Sequence, residues 1–221
     1  MINDNPALKP IYYAFLPSRL AITVVKSIPV GVAFKVIDDM ESFDISKKET
    51  QKEIVDNCKN YIVRDVCIST TQRVIEHAIV DHTDPQFSHK LFKSVKQSSL
   101  SKCERMERGE ASKAMFWTSL RAGFVYHLAL FTFEEGYLIY LWVRSVLARW
   151  RGEVVESRVC RKGRGGEITL QSFAKKSVKN VLLCVVGVLA EAIGASIGTY
   201  VYPGYGTLAL DRLFGTCAYL L

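Results

Sequence analysis

Hydrophobic and polar positions divide the chain into stretches of different character. From Ile11 to Ile37 it is apolar and cationic, with Arg19, Lys26 and Lys35 but no acid, and Pro17 and Pro29 interrupt it. Two prolines and three cations argue against a spanning helix, so this stretch reads as an interfacial or partner-packed segment. It also lacks the early basic region, unbroken apolar core and small-residue cleavage site of a secretory signal.

Asp38 to Leu120 has the pattern of water-exposed helices. Ser46-Lys47-Lys48-Glu49 has capping-box form, and apolar residues then recur at helical spacing through Ile54, Val55, Cys58, Tyr61, Ile62, Val66, Val74, Ile75 and Ile79. The spacing predicts one amphipathic helix to about Val80, ended or redirected by Asp84-Pro85. A second box, Ser101-Lys102-Cys103-Glu104, predicts a new helix start. No strong breaker follows until Gly152, although Gly109, Gly123 and Gly136 lie on the way.

Two apolar runs follow. Val181 to Tyr202 holds 22 residues with Glu191 as its only charge. A helix of that length spans about 33 Å, enough for a hydrocarbon core of about 30 Å. Phe124 to Val143 is rich in Phe, Tyr and Leu but contains His127, Glu134 and Glu135. A central ionised group costs about 2.5 to 3.5 kcal/mol, against about 0.3 to 0.6 kcal/mol gained per apolar residue. Such a run needs neutralised carboxyls or other helices around it. Trp117, Tyr137, Tyr140, Trp142 and Trp150 near its ends fit headgroup level.

Ala190, Gly194 and Gly198 form a small-xxx-small stripe of the glycine-zipper kind, which lets another helix approach closely. After the turn signal Tyr202-Pro203-Gly204, a short helix from Gly206 to Leu221 is expected to fold back as a re-entrant or interfacial hairpin arm, with Asp211 and Arg212 near a polar edge.

Charge changes this picture at one place. The chain has 221 residues, 29 basic and 22 acidic, for a net charge of +7. The stretch from Arg144 to Lys179 has ten basic against three acidic residues and so holds the whole excess. Between two spanning runs, such a linker lies on the cytoplasmic or matrix side, with Arg149, Arg151, Arg161, Lys162 and Arg164 placed to meet anionic lipid. The Arg161-Lys162-Gly163-Arg164-Gly165-Gly166 piece lacks an aromatic platform, so nucleic acid is not an expected partner. Six cysteines without a CxxC pair, and no Asn-x-Ser/Thr site, fit reducing surroundings.

Chemistry-bearing residues are few. Glu134, Glu135 and Glu191 are intramembrane carboxyls that either conduct protons or cations, or pair with Arg121, His127, a tyrosine or a partner and fix helix register. Glu76, His77, Asp81, His82 and His89 do not reach the convergence zinc requires, and neither a nucleophile elbow nor a phosphate loop is present. No catalytic, metal or cofactor site is expected.

These observations predict an all-α integral membrane protein with a soluble amphipathic helical section and a C-terminal glycine-rich helical hairpin. The expected divisions are residues 1–37, 38–120 and 121–221, the last containing the basic linker 144–179. The function expected is that of a non-enzymatic structural subunit or scaffold, assembling with other membrane subunits through the Gly194/Gly198 face. An organelle membrane such as the mitochondrial inner membrane is the expected location. A small transporter or proton-conducting component is one alternative, and a soluble all-helical interaction protein the other.

Overall fold

The computed structural model describes residues 9–38, 47–92, 94–151 and 170–218, and all regular structure among them is helical. The chain forms two compact units, Met1–His82 and Thr83–Leu221. This division falls at the Asp84-Pro85 breaker. The composition-based boundary between residues 120 and 121 instead lies inside one continuous helix, because a change in surface character need not interrupt backbone hydrogen bonding.

In the first unit a 3-10 turn, Ile11–Phe15, leads into α1, Pro17–Asp38, which packs on α2, Lys48–His82. The helix starts at Pro17, where the absent N–H has no intrahelical partner to lose. It also continues through Pro29, and the Val25 backbone carbonyl four residues earlier loses its partner there. Thr23, Ser27 and Gly31, four apart, form its buried face. Thr23 Oγ1 donates to Asp65 Oδ2 at 2.8 Å, and Cys58 Sγ donates to the Ser27 carbonyl at 3.3 Å. A Cβ added at Gly31 would lie 2.5 Å from Cys58 Sγ. The first capping serine, Ser46, lies outside the described residues, and α2 begins two residues later.

Of the α2 residues considered as metal ligands, Glu76, His77 and His82 have other partners. Arg73 forms a buried ion pair with Glu76, and Gln72 Nε2 donates to Glu76 Oε1 at 2.9 Å. Burial pushes the Glu76 carboxyl above its ordinary range, and the Arg73 charge offsets this only in part. His77 Nε2 lies 3.2 Å from the Lys9 carbonyl, and His82 Nδ1 lies 2.9 Å from that of Ala78.

The second unit contains α3 (Pro85–Leu91), α4 (Val95–Cys103), α5 (Arg108–Trp150), α6 (Leu170–Val201) and α7 (Tyr205–Ala218). Asp84 caps α3, its carboxylate accepting from the Gln86 N–H at 3.1 Å. Ser101 to Glu104, expected to start a helix, instead end α4. The Glu104 N–H bonds to the Leu100 carbonyl, and the Arg105 and Met106 N–H groups close onto that of Lys102. Lys102 then reaches over the turn to the Ala114 carbonyl at 2.7 Å and to Thr118, which ties α4 to α5.

At 43 residues, α5 is about 64 Å long. Ser112 meets Ser196, His127 meets Glu191, Asn180 Nδ2 donates to Glu135 Oε1 at 2.9 Å, and Trp142 meets Phe173. This register makes α6 antiparallel to α5. α6 turns back into α7 at Gly204, whose φ of +88° suits glycine. The Gly204 N–H donates to the buried Ser99 hydroxyl at 2.9 Å, so α4 fixes the turn.

Among the described residues one helix, Leu170–Val201, is long and apolar enough to cross a membrane. The sequence pattern leads one to expect two. The second, Phe124 to Val143, is a segment of α5 whose charged positions Glu134 and Glu135 dilute its apolar character.

Candidate functional site

Among the described residues of the second unit, the buried ionisable groups gather where α5, α6 and α7 meet. On α5, Ser119, Gly123 and His127 are four apart and share one face, and on α7 Asp211 and Gly215 do the same. α6 supplies Glu191 between them. Two one-sided patterns therefore converge on one carboxylate.

Glu191 Oε2 lies 3.3 Å from His127 Nε2, and both side chains are buried. A Cβ added at Gly123 would stand 2.5 Å from Glu191 Oε2, and one at Gly215 2.5 Å from Glu191 Cγ. The two glycines thus form the slot that admits this side chain. Asp211, also buried, accepts a hydrogen bond from the Ser119 hydroxyl. The mostly exposed Arg212 reaches in from outside, its guanidinium 3.9 Å from Glu191 Oε1 and 5.8 Å from the Tyr126 ring centre.

Glu191 and His127 at this spacing can share a proton, while the Arg212 guanidinium keeps its charge. They also fix the mutual register of three helices, because any slip would leave a buried charge without its partner. Among the described residues no group of three or more His, Cys, Asp or Glu side chains is arranged to hold a metal ion.

The intramembrane carboxyls inferred from sequence are therefore not one group. Glu191 enters the three-helix junction, while Glu135 bonds Asn180. His127 faces Glu191, eight residues from Asp211's partner Ser119, rather than pairing with Glu134. Asp211, expected at a polar edge beside Arg212, is buried. Adjacent helical positions point about 100° apart, so Asp211 turns inward while Arg212 turns outward.

The stripe also finds its place. Cβ atoms at Gly194 and Gly198 would run into backbone atoms of Leu210, Gly206 and Thr207, so α7 of the same chain occupies it. Thr199 and Thr207 hydroxyls bond across this contact at 2.9 Å. Ala190, one turn earlier, is half-buried. Assembly with another subunit through Gly194 and Gly198 is therefore incompatible with this packing. Of the basic positions, Arg149 and Arg151 are exposed at the end of α5; Arg161, Lys162 and Arg164 lie outside the described residues. No protein family, curated protein or solved structure is detectably similar to this chain.

Proposed function

We propose that the chain is a non-enzymatic structural subunit of a membrane protein complex, held in the bilayer by α6 with α5 and α7 against it. The observation that carries this reading is the inverted distribution of side chains on α6. Its packed face is Gly187, Val188, Glu191, Ala192, Gly194, Ala195, Gly198 and Thr199, mostly small residues, while Leu182, Val185, Leu189, Ile193, Ile197 and Tyr200 point outward. In water such a face forgoes about 1.5 to 3 kcal/mol for each large side chain left exposed. In lipid it costs nothing, and small residues inside let helices approach without a hydrophobic driving force.

Because α5 runs beside α6, a bilayer around α6 contains much of α5 too. The Asn180 bond to Glu135 and the His127 contact with Glu191 then lower the cost of charge at depth. The ends joined by residues 152–169 lie on one side, which the positive-inside rule makes cytoplasmic or matrix. Arg149 and Arg151 there face anionic headgroups. Partner subunits dock on the outward faces of α5 and α6, since α7 fills the glycine stripe. The free thiols of Cys58, Cys67, Cys103 and Cys184 suit a reducing compartment, and the membrane we propose is an organelle inner membrane such as the mitochondrial one.

Alkaline carbonate extraction tests the placement: the chain stays in the membrane pellet, and its release into the supernatant would refute the reading. Mild-detergent purification tests assembly, the expected result being co-purifying membrane subunits. The buried His127, Glu191 and Asp211 cluster favours a second reading, proton conduction. Glu191→Gln separates the two in liposomes: unchanged proton flux with weakened assembly supports the structural role, and abolished flux supports conduction.

A further inference from the structure

The first unit carries an apolar face of its own. With Thr23, Ser27 and Gly31 turned toward α2, helix α1 leaves Ile22, Val24, Val25 and Ile28 outward, Val25 at 67% and Ile28 at 55% exposure. The preceding 3-10 turn adds exposed Ile11, Tyr12 and Phe15. By the helical period, Arg19 and Lys26 lie along one border of the α1 face and Lys35 lies along the other.

Charge says what covers this face. Residues 9–37 contain Lys9, Arg19, Lys26 and Lys35 and no acid. Two of these cations are held together on one ring: Lys9 Nζ lies 4.5 Å and the Arg19 guanidinium 4.7 Å from the centre of Tyr13, with that of Arg73 at 5.7 Å. Of the α2 acids near this face, Glu76 pairs with Arg73, Glu53 with Lys35 at 2.6 Å, and Asp65 accepts from the Thr23 hydroxyl. Holding like charges side by side beside a bare apolar face is favourable where an anionic surface faces them and hydrocarbon lies just beyond it.

We propose that the 3-10 turn and α1 form an anionic-phospholipid docking surface, with Ile22, Val25 and Ile28 in the acyl boundary and Lys9, Arg19 and Lys26 at the phosphates. This attachment is peripheral and salt-sensitive, and it does not depend on α6 crossing the bilayer. A second copy of the chain is the rival occupant.

The test uses the full chain mixed with vesicles of phosphatidylcholine, with and without phosphatidylserine, each containing an acyl-diazirine phosphatidylcholine tracer. After photolysis, lipid adducts are mapped by mass spectrometry. The expected result is labelling of residues 22–28 in the phosphatidylserine vesicles. Introducing Arg19→Gln with Lys26→Gln lowers that labelling by about 25-fold, at about fivefold per lost charge, and omitting the anionic lipid, which removes the attraction for Lys9 as well, lowers it by about 125-fold. Both substituted side chains are on the surface, and an unchanged circular dichroism spectrum verifies the fold. Equal labelling without phosphatidylserine, or no labelling of 22–28, would each overturn the proposal, and a chain that sediments as a dimer in the second case assigns the face to a second copy. Labelling of 22–28 without any of α6 would uphold it while refuting the placement of α6.

Discussion

The α1–α2 pair and the α5–α6–α7 group turn the same kind of residue inward: Thr23, Ser27 and Gly31 in one, Gly194, Ala195, Gly198 and Thr199 in the other. They treat charge differently. In the first unit α2 is polar over most of its surface, so most of its ionisable groups meet water, and its buried pair, Arg73 with Glu76, lies within one turn. In the second, the outward face of α6 is apolar, and its one carboxylate goes inside, where α5 and α7 must supply its partners. A helix pair with one wet partner can satisfy charge locally, whereas a helix with an oily exterior must satisfy it across the interface.

Substitutions that break one unit and spare the other sharpen this contrast. The largest effect is expected from Gly198→Leu, which drives a side chain into the α7 backbone and costs about 3 kcal/mol. Denaturant titration in mild detergent measures it, and a loss no larger than the ~0.5 kcal/mol of an ordinary surface change would contradict the hairpin. Glu191→Gln keeps the shape of the slot but loses the charge facing His127, at a cost of about 2 kcal/mol. Combined with His127→Asn it should cost less than the sum of the two single changes, since the pair acts as a unit. Strict additivity in that cycle would mean the two groups do not interact.

Smaller effects follow. Gly204→Ala places a Cβ at φ +88° and costs about 1 to 2 kcal/mol, read from the same unfolding curve. Thr23→Val removes the hydroxyl from Asp65 and costs about 1 kcal/mol in the first unit alone, visible as faster amide exchange in α1 with none in α6. The smallest concerns pH. The folded-state pKa of Glu76 is raised, so its contribution to stability is fully present below the ordinary value of 4.5 and is lost as pH rises through the folded value. Glu76→Gln should flatten that decline; an unchanged slope would reassign it to another group.

Much of the helical outline was legible because it rests on local rules. Apolar spacing marked α2 and α6, Asp84-Pro85 marked the end of α2, and the absence of a breaker marked the long α5. Local rules misled at Ser101-Glu104, where a box-like spacing sits at a helix end and a long-range clasp by Lys102 decides the outcome. They also obscured α1, since Pro29 is tolerated where its side of the helix faces outward. Of the site, Glu191 and the possibility of a His127 partner were readable. Asp211 and the slot of Gly123 and Gly215 were not, because no spacing within one helix says which residue of another will face it. The i,i+4 alignments of Ser119, Gly123 and His127, and of Asp211 and Gly215, were the available clue.

The order of synthesis gives the junction a history. His127 leaves the ribosome well before Glu191, so a partner for that carboxylate already exists when it emerges. Asp211 and Gly215, which close the junction, follow only after the Gly204 bend is made. Until that bend forms, α6 has one wall instead of two.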